Sequence, residues 1–185
     1  MEKDIARIKE KKVVWEGKFL RCVLIKYIDS SGTLRDWESF ERVNCKGIVA
    51  IVPVTDKNEF LLVKQYRPPV NAYVIEFPAG LNDKGDTLEE AAQRELLEET
   101  GYTATEVTFL TEGPLSSGAS DEIITAFLAK GLEFKGIDER DEMEVIEVLK
   151  VPLHEFYQRL HELHGKGTYI DLKVFGLVEL AKKHL

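Results

Sequence analysis

The chain has 185 residues, 44% hydrophobic and 31% charged, a composition typical of one globular domain with a substantial core. Its 33 acidic residues outnumber its 25 basic residues, and the net charge of −8 argues against a nucleic-acid-binding protein. The sequence contains no run of ~18 apolar residues and no signal-peptide pattern, so no membrane association is expected. The two cysteines, Cys22 and Cys45, lack metal-ligand spacing, which favours a reducing, cytoplasmic location.

Strand patterns dominate the first half of the chain. Segments rich in β-branched, aromatic and alternating residues predict strands over 13–28, 34–43, 47–54, 60–65 and 73–77. The first two segments flank a polar turn that contains Gly32, and they are interpreted as a β-hairpin. The run at 47–54 is almost wholly apolar, as expected for a strand buried on both faces.

The second half adds three predicted helices to further strands. A helix is predicted over 88–99, because Thr87 and Glu90 have capping-box spacing and Gly101 can end it. The remaining predicted elements are strands at 106–110, 122–129 and 145–151, and helices at 153–164 and 169–184. The buried stripe of the last helix is predicted to be Leu172, Phe175, Val178 and Leu180. The fold class is therefore α+β, a layered domain preceded by a β-hairpin region.

Three carboxylates share one face of the predicted helix over 88–99. At ~100° per residue, Glu95, Glu98 and Glu99 fall within about one third of the circumference. Their mutual repulsion would disappear around a hard divalent cation such as Mg²⁺. Arg94 lies four residues before Glu98 and can orient it from outside the metal shell. A solvated, salt-bridged helix is the alternative interpretation.

The segment 80–102 resembles the Nudix box, Gly-x5-Glu-x7-Arg-Glu-U-x-Glu-Glu-x-Gly-U, where U is a bulky apolar residue. The matching residues are Gly80, Arg94, Glu95, Leu96, Glu98, Glu99, Gly101 and Tyr102. Asp86 departs from the pattern, which has glutamate there, and the shorter carboxylate is expected to loosen the surroundings of the metal without abolishing metal binding. The resemblance implies a Nudix fold, an α/β/α sandwich with a mixed sheet, and cleavage of a substituted diphosphate. It also implies two or three Mg²⁺ ions, with Mn²⁺ as an alternative. The implied metal ligands are Glu95, Glu99, Glu98 and the carbonyl of Ala79.

Segments 37–42, 63–69 and 76–81 look like those of the ADP-ribose pyrophosphatase (ADP-sugar diphosphatase) branch. By that resemblance, residues 1–45 form a strand region for homodimerisation and base stacking, and residues 46–185 form the Nudix hydrolase domain. The implied substrate contacts are stacking of Phe19 and Trp37 on adenine, a hydrogen bond to Glu38, and phosphate binding by Arg42 and Arg67.

A second acidic run covers residues 138–144 and, considered alone, is typical of a solvated loop. In the branch, a loop at this place supplies a glutamate to the reaction. Glu144 is favoured for metal contact, and the choice of general base between Glu142 and Glu144 stays open. Glu98 is the further catalytic candidate.

The leading functional hypothesis is a homodimeric, Mg²⁺-dependent hydrolase that converts ADP-ribose into AMP and ribose 5-phosphate. A second hypothesis keeps the chemistry but changes the nucleoside diphosphate sugar, for example to GDP-mannose. A third is a non-catalytic Nudix module that senses a nucleotide, although the intact cluster of Glu95, Glu98 and Glu99 counts against it.

Overall fold

The computed structural model describes residues 6–136, 145–165 and 167–185, and these have the α+β architecture that the sequence predicts. The described strands are β1 (Arg7–Glu16), β2 (Leu20–Ile28), β3 (Leu34–Arg42), β4 (Ile48–Pro53), β5 (Glu59–Arg67), β6 (Ala72–Glu76), β7 (Ala79–Leu81), β8 (Tyr102–Pro114), β9 (Ile123–Phe134), β10 (Glu147–Pro152) and β11 (Thr168–Ile170). The α-helices are α1 (Leu88–Thr100), α2 (Phe156–Leu163) and α3 (Leu172–Ala181). Within this part of the chain, no helix combines the length and apolar character needed to cross a membrane.

The N-terminal region is a three-stranded antiparallel sheet in the order β1-β2-β3. The predicted hairpin contains β2 and β3, but its first strand, predicted over 13–28, is divided in the structure: residues 13–16 belong to an additional strand, β1, which begins in a charged segment, and the chain turns at 17–19 before β2. The backbone N–H of Phe40 in β3 donates to the carbonyl of Ala119 at 2.9 Å. This contact connects the N-terminal sheet to the loop between β8 and β9.

Two four-stranded mixed sheets form the rest of the fold, in the orders β10-β5-β6-β11 and β7-β4-β9-β8. β4 pairs in parallel with β9, and β11 in parallel with β6. Val49 and Ile51 of β4 pack with Leu96 of α1, whereas Ala50 and Val52 belong to the core that contains α2 and α3. β4 is therefore buried on both faces, as its apolar run predicts.

The predicted helix over 169–184 begins too early. Residues Thr168–Ile170 are a strand, and Asp171 caps α3 by accepting a hydrogen bond from the N–H of Lys173 at 2.8 Å. The predicted buried stripe is wrong for Leu172, which is 84% exposed, and for Phe175, which is 37% exposed, whereas Val178 is buried and Leu180 is partly buried against the core. The buried residues of α3 are Val174, Leu177, Val178 and Ala181.

The capping box predicted at the start of α1 is present. Thr87 accepts from the backbone N–H of Glu90, and the Glu90 carboxylate accepts from the backbone N–H of Thr87 at 2.8 Å. Gly101 ends the helix with φ of 77°, a left-handed conformation that favours glycine. Both ends of α1 are thus fixed by local interactions, independently of the contacts that its carboxylates make with other elements.

We expect Thr87→Ala to lower the free energy of unfolding by ~1 kcal/mol, because the backbone N–H of Glu90 loses its capping acceptor. Urea denaturation measures the change. Thr87→Ser keeps the hydroxyl and serves as the control. An equal loss of stability in both variants would contradict a capping role for this side chain.

Candidate active site

Glu95 and Glu99 of α1 face the short strand β7. Glu99 is 7% exposed, and its Oε2 accepts a hydrogen bond from the backbone N–H of Ala79 at 3.1 Å. The Glu95 carboxylate lies against Gly80, so that a Cβ added to Gly80 would be 2.0 Å from Cδ of Glu95. Only glycine leaves room at this position, which explains the first residue of the motif.

Arg94 forms hydrogen bonds with acidic residues of α1 and of the loop that precedes this helix. Its Nη1 donates to Glu95 Oε1 at 2.6 Å and to Glu98 Oε2 at 3.0 Å. Its Nη2 donates to the carbonyl of Leu81 at 3.1 Å, and its Nε donates to Asp86 Oδ2 at 3.4 Å. One guanidinium therefore ties the loop before α1 to two carboxylates of the helix, as its sequence position predicts for Glu98.

Glu98 differs from its two neighbours in exposure. Its side chain is 50% exposed, and a second cation, Lys84, lies 3.4 Å from Oε1. Glu95 is much less accessible, with a side chain 12% exposed. The structure thus brings Glu95 and Glu99 together at β7 and leaves Glu98 at the rim beside two basic residues.

Burial raises the pKa of Glu99 to about 8. The hydrogen bond from Ala79 opposes this shift, and the negative charges of Glu95 and Glu76 increase it. Burial also raises the pKa of Glu95, although the charge of Arg94 opposes the increase. Burial thus disfavours the negative charge of both carboxylates, and a cation bound beside them would compensate for that cost.

Glu76 is a buried acid near this site to which the sequence analysis gave no role. It is 8% exposed, ends β6, and accepts a hydrogen bond from Arg67 Nε at 2.7 Å. Its charge contributes to the raised pKa of Glu99. A signal was present in the sequence, because Glu76 is a charged residue between the apolar Ile75 and Phe77 of a predicted strand.

The donor set fits a hard divalent cation. The carboxylates of Glu95 and Glu99 and the carbonyl of Ala79 all offer oxygen, which Mg²⁺ prefers. Among the described residues, no group of three or more histidine, cysteine, aspartate or glutamate side chains converges as a metal-binding cluster. Such a cation would therefore take its remaining ligands from backbone, water or phosphate oxygens, as Mg²⁺ commonly does.

Arg42 and Arg67, the predicted phosphate-binding residues, both pair with buried glutamates. Arg42 Nε donates to Glu122 Oε1 at 2.7 Å, as Arg67 does to Glu76. Arg42 and Glu122 line a cleft of about 280 Å³ together with Ile48, which pairs with Leu81 of β7. The cleft thus adjoins the strand that carries Ala79 and Gly80.

The predicted base-binding residues lie on the N-terminal sheet. Phe19 is 65% exposed and Trp37 is 47% exposed, and Glu38 is also exposed. Trp37 Nε1 donates to the carbonyl of Gly118 at 3.0 Å, which orients the indole beside the β8–β9 loop. Two other candidates, Glu142 and Glu144, lie outside the described residues.

The buried carboxylates of α1 and the glycine beneath them lie in a segment that matches a known family, since residues 46–171 match the NUDIX domain. The chain belongs to the Nudix family and is a Nudix pyrophosphatase. Enzymes of this family generally need a divalent metal ion.

Its relatives include the ADP-ribose pyrophosphatase of Bacillus subtilis, 38% identical over 151 residues that cover 80% of this chain and 81% of the relative. The ADP-sugar pyrophosphatase of Mus musculus is 31% identical, over 96% of this chain and 87% of the relative. The crystal structure of an ADP compounds hydrolase matches the fold with a TM-score of 0.80 at 24% identity, covering 97% and 94% of the two chains. The predicted resemblance and fold class are therefore confirmed.

Proposed function

We propose that the protein hydrolyses the diphosphate of ADP-ribose, or of similar ADP-sugars, with Mg²⁺, to give AMP and ribose 5-phosphate. The observation that carries this proposal is the pair of buried carboxylates at β7, Glu95 and Glu99, in a chain similar to ADP-sugar pyrophosphatases. A cytoplasmic location is part of the proposal, and the free cysteines Cys22 and Cys45 support it, because disulfides are rare in that compartment.

Glu95, Glu99 and the Ala79 carbonyl would hold the metal, with Glu98 as a further ligand and Mn²⁺ as an alternative ion. Two or three Mg²⁺ ions held by these residues would supply charge neutralisation for the diphosphate and a water of lowered pKa. Arg67 and Arg42 supply positive charge for phosphate oxygens, and the buried Glu76 and Glu122 fix their direction. Glu144 or Glu142 would provide the general base.

Adenine stacking on both Phe19 and Trp37 favours a site built from two copies of the chain. Trp37 pairs with Ile25 of β2, which is six residues from Phe19 in the chain, so at ~3.3 Å per residue the Cα atoms of Phe19 and Trp37 are about 20 Å apart. That separation does not favour contact of one base with both rings of the same protomer. A homodimer in which each protomer contributes one aromatic residue would bring the two rings together.

The N-terminal sheet also has the surface that such a dimer needs. Large apolar side chains are exposed on it, namely Ile8, Val13, Val14, Trp15, Phe19, Leu34 and Trp37. Large exposed apolar side chains in this number are typical of a protein interface. Residues 1–45 would thus serve in dimerisation and base stacking, and residues 46–185 would carry the hydrolase chemistry.

We expect Trp37→Ala to raise KM for ADP-ribose about 10- to 100-fold, with a smaller change in kcat, because stacking on a base is worth ~1–3 kcal/mol. Steady-state kinetics at saturating Mg²⁺ measure both constants. Tyr169→Ala removes an exposed aromatic residue of β11, outside the N-terminal sheet, and is the control. Equal KM values for the two variants would remove Trp37 from the base site.

The direct test of the substrate is a product assay over ADP-ribose, GDP-mannose, UDP-glucose, NADH and diadenosine polyphosphates. We expect AMP and ribose 5-phosphate from ADP-ribose at the highest kcat/KM of the panel. If the folded protein releases no AMP from ADP-ribose but cleaves GDP-mannose, the alternative sugar substrate is correct. Binding of a nucleotide without turnover of any substrate would instead identify a sensor module.

A further inference from the structure

The loop between β7 and α1 contains a buried amide side chain with no direct part in the proposed chemistry. Asn82 is 3% exposed. Its backbone N–H donates to the carbonyl of Gly47, and its carbonyl accepts from the N–H of Lys46, both at 2.9 Å. The backbone of Asn82 is thus fixed to the segment that leads into β4, while its side chain points along the loop.

The Asn82 side chain makes one strong hydrogen bond and leaves one oxygen buried. Its Nδ2 donates to the backbone carbonyl of Asp86 at 2.7 Å. Its Oδ1 is buried and has no hydrogen-bond partner among the described residues. A buried unpaired oxygen destabilises a fold, and an apolar side chain of similar size would avoid that penalty. The contribution of the Asn82 side chain to the structure is therefore its hydrogen bond to Asp86, which restrains the loop between β7 and α1.

Asp86 is the residue at which this chain departs from the Nudix box. An aspartate carboxylate is one methylene shorter than the glutamate of the pattern, so its backbone must lie closer to Arg94 to reach it. Even so, the distance from Arg94 Nε to Asp86 Oδ2 is 3.4 Å, long for a charged hydrogen bond. Release of the Asp86 carbonyl from Asn82 would remove the restraint that keeps this contact.

We infer that Asn82 is a positioning residue that compensates for the short carboxylate of Asp86. By holding the Asp86 backbone, it keeps Asp86 within reach of Arg94, and Arg94 then orients Glu95 and Glu98. Asn82 acts through these residues and contacts neither metal nor substrate. This inference rests on the proposed function in one respect only, namely that the ion bound by Glu95 and its neighbours is Mg²⁺.

The test compares Asn82→Leu, Asp86→Glu and the double variant with the wild-type chain. Leucine is close in size to asparagine, lacks the donor and removes the unpaired oxygen, so the fold is expected to be retained. The first measurement is the Nε–Hε NMR resonance of Arg94 in metal-free protein, assigned with Arg94→Lys. We expect Asn82→Leu to shift this resonance and the longer carboxylate of the double variant to restore it.

The second measurement is the Mg²⁺ concentration that gives half of the maximal rise in Tm. We expect Asn82→Leu to raise this midpoint about tenfold, and the double variant to return to within about threefold of wild type, as for partners of metal ligands. Asn82→Ala is measured in parallel to exclude overpacking by leucine. Gln93→Ala is the matched control, because it removes a 2.9 Å hydrogen bond from α1 to the carbonyl of Ala104, away from Arg94.

The outcomes separate this inference from the proposed function. An unchanged Arg94 resonance and Mg²⁺ midpoint in Asn82→Leu, or a double variant that restores neither, overturns the positioning role even if ADP-ribose is cleaved. The expected shifts without cleavage of ADP-ribose support the positioning role and overturn the substrate. If the wild-type Tm does not respond to Mg²⁺, the Arg94 resonance alone decides.

Discussion

Glu99→Gln is expected to lower kcat about 10³-fold and to make the metal-free protein more stable. Loss of a metal-binding carboxylate removes several kcal/mol of charge stabilisation, and each 1.36 kcal/mol corresponds to tenfold in rate. Glutamine keeps the acceptor for the N–H of Ala79, so the backbone contact survives. The activity loss should therefore come from the metal site and not from unfolding.

The stability change has a defined pH dependence. The pKa of Glu99 is about 8 in the folded protein, against 4.5 for an unperturbed glutamate. At any pH between these two pKa values, the folded state binds more protons than the unfolded state. The free energy of unfolding of the wild-type protein therefore falls as pH rises through this range. Glu99→Gln lacks this fall and should be more stable at pH 8 by on the order of 3 kcal/mol.

Urea denaturation without metal at pH 5, 7 and 8.5, together with the Tm response to Mg²⁺, measures these effects. We expect similar stability of the two proteins near pH 5, a growing advantage of the variant above it, and a Tm rise with Mg²⁺ only in the wild type. Glu89→Gln, an exposed acid at the other end of α1, is the control. Retained turnover in Glu99→Gln would remove this residue from the metal site, whereas nucleotide binding without any wild-type turnover would favour the sensor hypothesis.

Gly80→Ala is expected to lower kcat/KM about 10²- to 10³-fold, because displacement of a reacting arrangement by ~1 Å costs about 10²-fold. The added methyl group would be 2.0 Å from Cδ of Glu95 and 2.2 Å from its Oε2. A carboxylate at the end of a flexible side chain can move aside at modest cost, so the fold should survive. Gly80→Ala thus displaces the carboxylate of Glu95 but keeps its negative charge.

Gly113→Ala is the matched control, since Gly113 also lies in a strand and its added methyl group would meet no atom within 4 Å. Steady-state kinetics and the Tm response to Mg²⁺ should be normal in Gly113→Ala and impaired in Gly80→Ala. Full activity of Gly80→Ala would show that Glu95 does not need its observed position. A general loss of folding in both variants would mean that strand flexibility, and not the carboxylate, controls the result.

The sequence predicted α1 and its carboxylates well because local signals and the motif agree. The capping box, Gly101 and the face shared by Glu95 and Glu99 all depend on residues within one short segment. The sequence did not separate β1 from β2 and did not predict the first part of β1, because Arg7–Glu16 is rich in charge, is exposed throughout and pairs in the described structure with β2 alone. An edge strand of this kind lacks the alternation that marks a half-buried strand.

The errors at the C-terminal end have a different cause. α3 has apolar residues at most positions, so periodicity alone cannot identify its buried face, and contacts with the sheets favoured Val174 and Leu177 over Leu172 and Phe175. The effect of Glu76 on the pKa of Glu99 depends on how close β6 lies to α1, and a local sequence pattern carries no information about that distance. Tertiary packing decided both features.

The charge of β1 has a consequence for the solubility of the protein. Its outer edge presents backbone hydrogen-bonding groups beside exposed Ile8, Val13 and Val14, a combination that invites another chain to add as a further strand. Lys9 and Lys12 place positive charge along the same strand, whereas Lys11 pairs with Glu41 of β3, and a second copy aligned there would meet like charge. The charge on this edge therefore opposes edge-to-edge aggregation.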